Sequence, residues 1–219
     1  MLSFPALTEY TEYTNEKFHI DIYENFITDK SATALQYAIM RYGKFKHAHT
    51  TKTGALSRRR NKIIYGDEDF PYYSFAYMGK EVYTKIHPWT DLPPLKEIRN
   101  ALCKLTGQAY HVCVIQLYNN GKVGIDPHRD KEMTPGTIIA SVSLGETRTM
   151  RFERRGAVAI DISLPAGSLC LLQPPTNDHW LHSIPRDDTV TPRISLVFRN
   201  CENMRPPAAK TGAPPKSIL

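Results

Sequence analysis

With 219 residues, 41% of them apolar and 23% charged, the chain is long enough to bury one large core without disulfide or metal staples. No run approaches the roughly 18 apolar residues of a membrane span, and the start (MLSFPALTEYTEYTNEKF) lacks the positive-then-apolar pattern of a secretory signal. The net charge is +6, yet residues 41–62 hold 8 Lys/Arg and no acid, and the rest, 20 basic against 22 acidic residues, carries −2.

In chain order, residues 1–15 are polar, lack periodicity and are expected to be disordered. Residues 30–41 place Ala32, Leu35, Ala38 and Ile39 at helical spacing, with Ser31 as the cap. The basic segment 41–62 suits a polyanion such as nucleic acid, or forms a solvated loop with no partner. A second helix is expected over 92–105, with Pro93 and Pro94 in its first turn and Gly107 just past its end. Beyond Gly107 come short apolar runs at 110–118, 137–144, 149–155, 158–164, 168–173 and 193–199, punctuated by NNGK, PG, GE, RG and PAG turns. Such spacing predicts a sandwich or jelly roll, with the two helices covering one face. The tail 201–219 is rich in Pro and Ala and is expected to be disordered. The four cysteines form no CxxC pair, which excludes a zinc ribbon and fits a reducing, intracellular compartment.

The chemistry concentrates in three places. His128 and Asp130 are two apart, so on an extended segment both side chains point one way. His182 follows 52 residues later, and two imidazoles plus one carboxylate make the facial triad of non-haem Fe(II) oxygenases. A lone HxD is weak evidence, because any strand can carry one. The strand at 193–199 adds weight: Arg193, Ser195, Val197 and Arg199 alternate with Ile194, Leu196 and Phe198. An arginine facing the inside of a barrel is costly unless it meets an anion, and its fork matches a carboxylate. A small dicarboxylate such as 2-oxoglutarate would meet that need.

These residues resemble the AlkB family of Fe(II)/2-oxoglutarate-dependent nucleic-acid dealkylases, most of all its eukaryotic branch that repairs double-stranded DNA. The similarity runs over about 40–200 and is carried by YGKF (42–45), IYGD (64–67), YYSFA (72–76), IQLYNNG (115–121), HRDKE (128–132), IASVSLGETRTMRF (139–152), LPAGSLCLL (164–172), PTNDHWLHSIP (175–185) and PRISLVFR (192–199). The resemblance implies a double-stranded β-helix with N-terminal helices and a nucleotide-recognition lid: one domain over 16–200, lid about 40–85, jelly-roll core about 108–200. It implies Fe(II) on His128, Asp130 and His182, with 2-oxoglutarate and O2 as cosubstrates. Gln116, Tyr118, Arg193, Ser195, Val197 and Arg199 are the cosubstrate residues, Arg193 for the far carboxylate and Arg199 near the chelating end. Gln116 and Ser195 stand where Asn is usual in the family, and both still hydrogen-bond a carboxylate.

For the substrate, the resemblance assigns Tyr42, Gly43 and Lys44 to a wedge that fills the gap left by an extruded base. Tyr73, Ser74 and Phe75 fall on the lid, with core packing as the competing role for the aromatics. Lys131 and Glu132 fall where the damaged base is read, and Arg58, Arg59, Arg60 and Lys62 would track phosphates. The activity implied is oxidative removal of the methyl group of 1-methyladenine or 3-methylcytosine in DNA, double-stranded before single-stranded, with RNA as an alternative. A monomer is expected, and the nucleus if the source is eukaryotic. A 2-oxoglutarate-dependent hydroxylase of a protein or small molecule, and a non-catalytic nucleic-acid-binding jelly roll, are the rival readings.

Overall fold

The computed structural model describes residues 1–6, 9–43, 45, 61–70, 72–77 and 80–202, with 72–77 and 80–83 described through their backbone only. In order the elements are β1 (Thr11–Asn15), β2 (Phe18–Tyr23), α1 (Asp29–Tyr42), β3 (Asn61–Gly66), β4 (Tyr72–Tyr77), β5 (Lys80–Pro88), a single 3-10 turn, α2 (Pro93–Thr106), β6 (Val112–Tyr118), β7 (Ile125–His128), β8 (Ile139–Gly145), β9 (Arg148–Glu153), β10 (Ile160–Leu164), β11 (Leu169–Leu172), α3 (Thr176–His179), β12 (Leu181–Ile184) and β13 (Arg193–Arg199). Nine strands form one sheet in the order β1-β2-β11-β8-β13-β6-β3-β5-β4, and four form a second in the order β10-β9-β12-β7. Two facing sheets with β8 and β13 adjacent at the centre of the larger one make the expected jelly roll. Among the described residues no helix is long and apolar enough to cross a membrane.

The central strands β6, β8 and β13 of the larger sheet are buried on both faces. Ile194, Leu196 and Phe198 of β13 pack with Leu35 and Ile39 of α1 and with Leu95, Ile98 and Leu102 of α2, so both helices cover the outer face. On the inner face Phe18, Ile20, Phe152, Trp180 and Ile184 fill the space between the sheets. Each such side chain contributes roughly 1.5–3 kcal/mol by leaving water. This inter-sheet layer is also where the polar face of β13 emerges.

The helix termini follow from their residues, with one correction. Helix α2 begins on its prolines and ends at Gly107, whose φ of 69° is the left-handed geometry that glycine adopts without strain. Helix α1 is capped by Thr28 rather than Ser31: the Thr28 hydroxyl accepts from the Ser31 backbone N–H. Ser31 is instead buried inside the first turn, where its Oγ accepts from the Ser3 N–H at 2.9 Å.

The start of the chain also differs from expectation. Thr11–Asn15 pair along β2 as an edge strand, and Leu2 and Phe4 pack on the core. The side chains of β1 are all exposed, so backbone pairing rather than an apolar pattern makes it a strand, and a periodicity search has nothing to detect. At the other end, Cys201 is buried and its N–H donates to His111 Nδ1 at 3.1 Å, so the packed chain reaches beyond 200. The rest of the expected tail, 203–219, lies outside the described residues.

Candidate metal and carboxylate site

The site is built by strand pairing. His128 closes β7 and stands opposite His182 of β12, which brings their rings to 4.4 Å. Asp130 follows β7 by two residues, and its Oδ1 lies 3.6 Å from His128 Nε2. Donor atoms of all three residues lie within 4.8 Å of one another, the spacing a single ion requires. The sequence pattern HxD…H thus assembles in three dimensions.

Each ligand is held by a neighbour. His128 Nδ1 lies 3.0 Å from the Asp126 carbonyl; donating there fixes the tautomer that presents Nε2 as a lone pair. The backbone of Asp130 is latched twice by Asn177: its N–H donates to Asn177 Oδ1 at 3.0 Å, and Asn177 Nδ2 donates back to its carbonyl at 2.8 Å. Its Oδ2 accepts from Arg199 Nε at 3.1 Å and meets Arg199 Nη2 at 2.7 Å, which leaves Oδ1 for the histidine side. Burial alone would raise the Asp130 carboxyl, but Arg199, His128 and His182 outweigh it and hold it well below the usual carboxylate range. Burial pushes His182 down to about 4, against the pull of Asp130, so its ring is neutral and ready to ligate at neutral pH.

That shift carries a pH signature. The folded pKa of His182 lies below the unfolded value near 6.5, so the folded state binds fewer protons and full stability holds above about pH 6.5. Lowering the pH toward 4 should remove up to about 3 kcal/mol from the metal-free protein. Urea unfolding at stepped pH checks this, and His182→Gln should flatten the profile over that window.

At the other end of the polar stripe sits Arg193, 1% exposed. Register places it opposite Tyr118 on β6 and Gly145 on β8. One amino group donates to Ser143 Oγ at 2.9 Å, and the guanidinium lies 5.3 Å from the Tyr118 ring. Its Nε and Nη1 meet no acceptor among the described residues. Leaving two buried N–H groups unmet is costly, and a carboxylate, which accepts two parallel N–H bonds, would satisfy them. Between Arg193 and the histidines the side chains line one small cavity of about 40 Å³ that opens to solvent. Gln116, Tyr118, Ser195, Val197 and Arg199 all line it. The Tyr118 hydroxyl donates to Gln116 Oε1 at 3.0 Å, and Ser195 Oγ lies 3.0 Å from Ser141 Oγ. The donor set therefore fits both an Fe(II)-type ion and a small dicarboxylate.

Among the described residues, Tyr42, Gly43, Lys62, Lys131 and Glu132 do not line this cavity. Tyr42 is exposed at the end of α1, its ring 5.5 Å from the Arg41 guanidinium. Gly43 follows as the C-cap, where an added Cβ would lie 2.3 Å from the Ile39 carbonyl oxygen, so only glycine fits. Tyr73, Ser74 and Phe75 run along β4 at the sheet edge, opposite Thr84, Tyr83 and Val82, with their side chains outside the description. Lys44, Arg58, Arg59 and Arg60 lie outside the described residues. Lys62 stands opposite Gln116 in β3, so it belongs to the ordered sheet rather than to a loop. Lys131 lines an adjoining cavity that shares Asp130 and Leu172 with the first, and Glu132 Oε2 accepts from the Lys131 N–H at 3.3 Å.

Sequence reasoning missed Ser141, Ser143 and Asn177. The two serines had a signal, because in IASVSLG they alternate with apolar residues and so share the inner face of β8. Asn177 had none; its partner is 47 residues away and joined through backbone groups.

Comparison with known proteins agrees with this geometry. A profile of the 2OG-Fe(II) oxygenase superfamily matches residues 19–199. The chain is 36% identical over 152 residues to the DNA oxidative demethylase ALKBH2 of Mus musculus, covering 64% of this chain and 61% of that protein. It is 34% identical over 169 residues to the protein of the same name from Homo sapiens, covering 67% and 62%. The matched region thus spans about three fifths of the length of these relatives. Among solved structures, OsALKBH1 matches with a TM-score of 0.60 at 14% identity, over 88% of this chain and all of that one, a likeness of fold.

Proposed function

The chain belongs to the 2OG-Fe(II) oxygenase superfamily, and from that premise we propose that it oxidatively removes small alkyl groups from ring nitrogens of bases in DNA. The observation that carries the reading is the pairing of a His–Asp–His cluster with a buried arginine that has two N–H groups unmet among the described residues, both on one cavity. Similarity to two DNA oxidative demethylases supports DNA, rather than a protein, as the substrate.

His128, Asp130 and His182 would hold Fe(II), which when bound supplies the oxidising chemistry with O2 and 2-oxoglutarate. Arg193 takes the far carboxylate of the cosubstrate and sets its direction, and Ser143 braces the guanidinium. Arg199 keeps Asp130 ionised and takes its Oδ2, which leaves Oδ1 beside His128, where it would help hold the ion. Ile139, Met150 and Val197 line the space between and keep water from the reacting end. The methylated base has to leave the duplex to reach this depth. Tyr42 fills the gap it leaves, with Gly43 and Lys44 completing the wedge. Tyr73, Ser74 and Phe75 on the 40–85 lid, together with Lys131 and Glu132, surround the extruded base. Arg58, Arg59, Arg60 and Lys62 contact phosphates, and the enzyme works as a monomer in the compartment that holds DNA, the nucleus in a eukaryote.

The test is mass spectrometry of turnover on 1-methyladenine and 3-methylcytosine oligonucleotides, single- and double-stranded, DNA and RNA. Loss of the methyl group fastest from duplex DNA is the expected result. Faster turnover of RNA would overturn the substrate, and no turnover of any oligonucleotide would overturn the activity. A companion measurement addresses the basic segment. Reversing Arg58, Arg59 and Arg60 to Glu should flatten the plot of log affinity against log salt by about 0.9 for each phosphate no longer neutralised. Unchanged binding and turnover would favour a protein or small-molecule substrate.

A further inference from the structure

Outside the catalytic cavity, the β1–β2 hairpin gathers a second set of metal-ligating side chains. His19 and Asp21 are two apart on β2 and share a face, while the apolar Phe18, Ile20 and Ile22 take the other. Register sets Glu12 of β1 directly opposite Asp21. Two carboxylates at directly paired positions repel each other. Here they nevertheless close on one imidazole nitrogen: His19 Nε2 lies 3.0 Å from Glu12 Oε1 and 3.1 Å from Asp21 Oδ1. A lone pair on Nε2 would bring a third acceptor to that point, and a single Nε2 proton can make a straight hydrogen bond to only one of the two oxygens. One cation satisfies all three donors at once.

The geometry suits an ion. The three donor atoms lie within 4.8 Å of one another. Ligands at zinc bonds of roughly 2.0–2.2 Å stand about 3.0–3.5 Å apart, so the two imidazole–carboxylate distances already lie at the short end of that range. Asp21 is the fixed member: it is 6% exposed, and its Oδ2 accepts from Gln173 Nε2 at 2.8 Å, which turns Oδ1 toward His19. His19 is fixed through its backbone, whose N–H donates to Thr176 Oγ1 at 2.7 Å and whose carbonyl accepts from the Gln173 N–H at 3.0 Å. Glu12 is the exposed member and can adjust. We propose that Glu12, His19 and Asp21 form a structural divalent-cation site, of the type that takes zinc, which fastens the edge strand β1 to β2 and is separate from the His128–Asp130–His182 centre.

The test is zinc stoichiometry on the full chain. Chelator-stripped protein is dialysed against Zn2+ and its bound metal is counted by mass spectrometry, with circular dichroism confirming the fold. The wild type should bind two equivalents, His19→Ala one, and His128→Ala one. Glu12→Gln, at an exposed side chain that cannot unfold the core, should weaken the affinity of one site at least tenfold and leave the other unchanged. Zinc should raise the melting temperature of the His128→Ala protein, and no longer do so once His19→Ala is added. Equal zinc content in wild type and His19→Ala, or full affinity in Glu12→Gln, overturns the hairpin site. Two equivalents retained by His128→Ala would instead count against the catalytic metal centre and leave the hairpin site standing.

Discussion

Replacing Asp130 with Ala should abolish the proposed demethylation and also destabilise the protein before any metal is added. The two effects have different origins. Oδ1 is one of three donors to the proposed ion, and with one of three lost the two histidines hold the metal weakly. Oδ2 is the anion that balances Arg199, a guanidinium with a side chain 7% exposed. Removing one partner of a buried pair strands the other charge, at a cost of about 3–5 kcal/mol. A double-mutant cycle separates the roles: Asp130→Ala with Arg199→Ala should regain part of the stability, because no charge is left stranded, but none of the turnover. Denaturant unfolding, metal retention and product mass spectrometry read the three quantities. Demethylation at the wild-type rate in Asp130→Ala would sink the metal assignment.

The Asp130–Arg199 pair is not legible in the sequence, although both of its members are. The alternation along 193–199 gives the two faces of β13, and the structure places Ile194, Leu196 and Phe198 against the helices and Arg193, Ser195 and Arg199 toward the cavity. Period-2 alternation is a local property, and any strand so placed obeys it. The spacing of His128 and Asp130 is equally local. The partner of Arg199, in contrast, is 69 residues away, and which carboxylate it meets depends on how far β7 and β13 extend toward each other. Asn177 is invisible for the same reason. The edge strand β1 escapes because its side chains bury nothing, so no hydrophobic pattern marks it. Local chemistry names the ligands, and long-range pairing decides what braces them.

Arg193→Ala is expected to raise the 2-oxoglutarate concentration needed for half-maximal turnover by roughly two to four orders of magnitude. The arginine is buried, and burial alone presses its pKa downward, so the fold carries a charge it does not itself neutralise. Ser143 accepts one N–H and the Tyr118 ring lies beside the cation, but Nε and Nη1 still meet no acceptor among the described residues. A carboxylate that binds there gains a charged, two-pronged partner; without the arginine it is buried alone, at a cost of about 3–5 kcal/mol. The effect belongs in the cosubstrate requirement, because the three metal donors are untouched and turnover at saturation should change far less. Arg193→Lys should fall between, since it keeps the charge and loses the fork. The stability change has the opposite sign. Without cosubstrate, Arg193→Met removes a desolvated charge with unmet N–H groups and should make the protein more resistant to denaturant, and saturating 2-oxoglutarate should stabilise the wild type but not this variant. Steady-state kinetics against 2-oxoglutarate, paired with unfolding curves in its presence and absence, read both signs. A normal cosubstrate dependence in Arg193→Ala would place the carboxylate site elsewhere in the cavity.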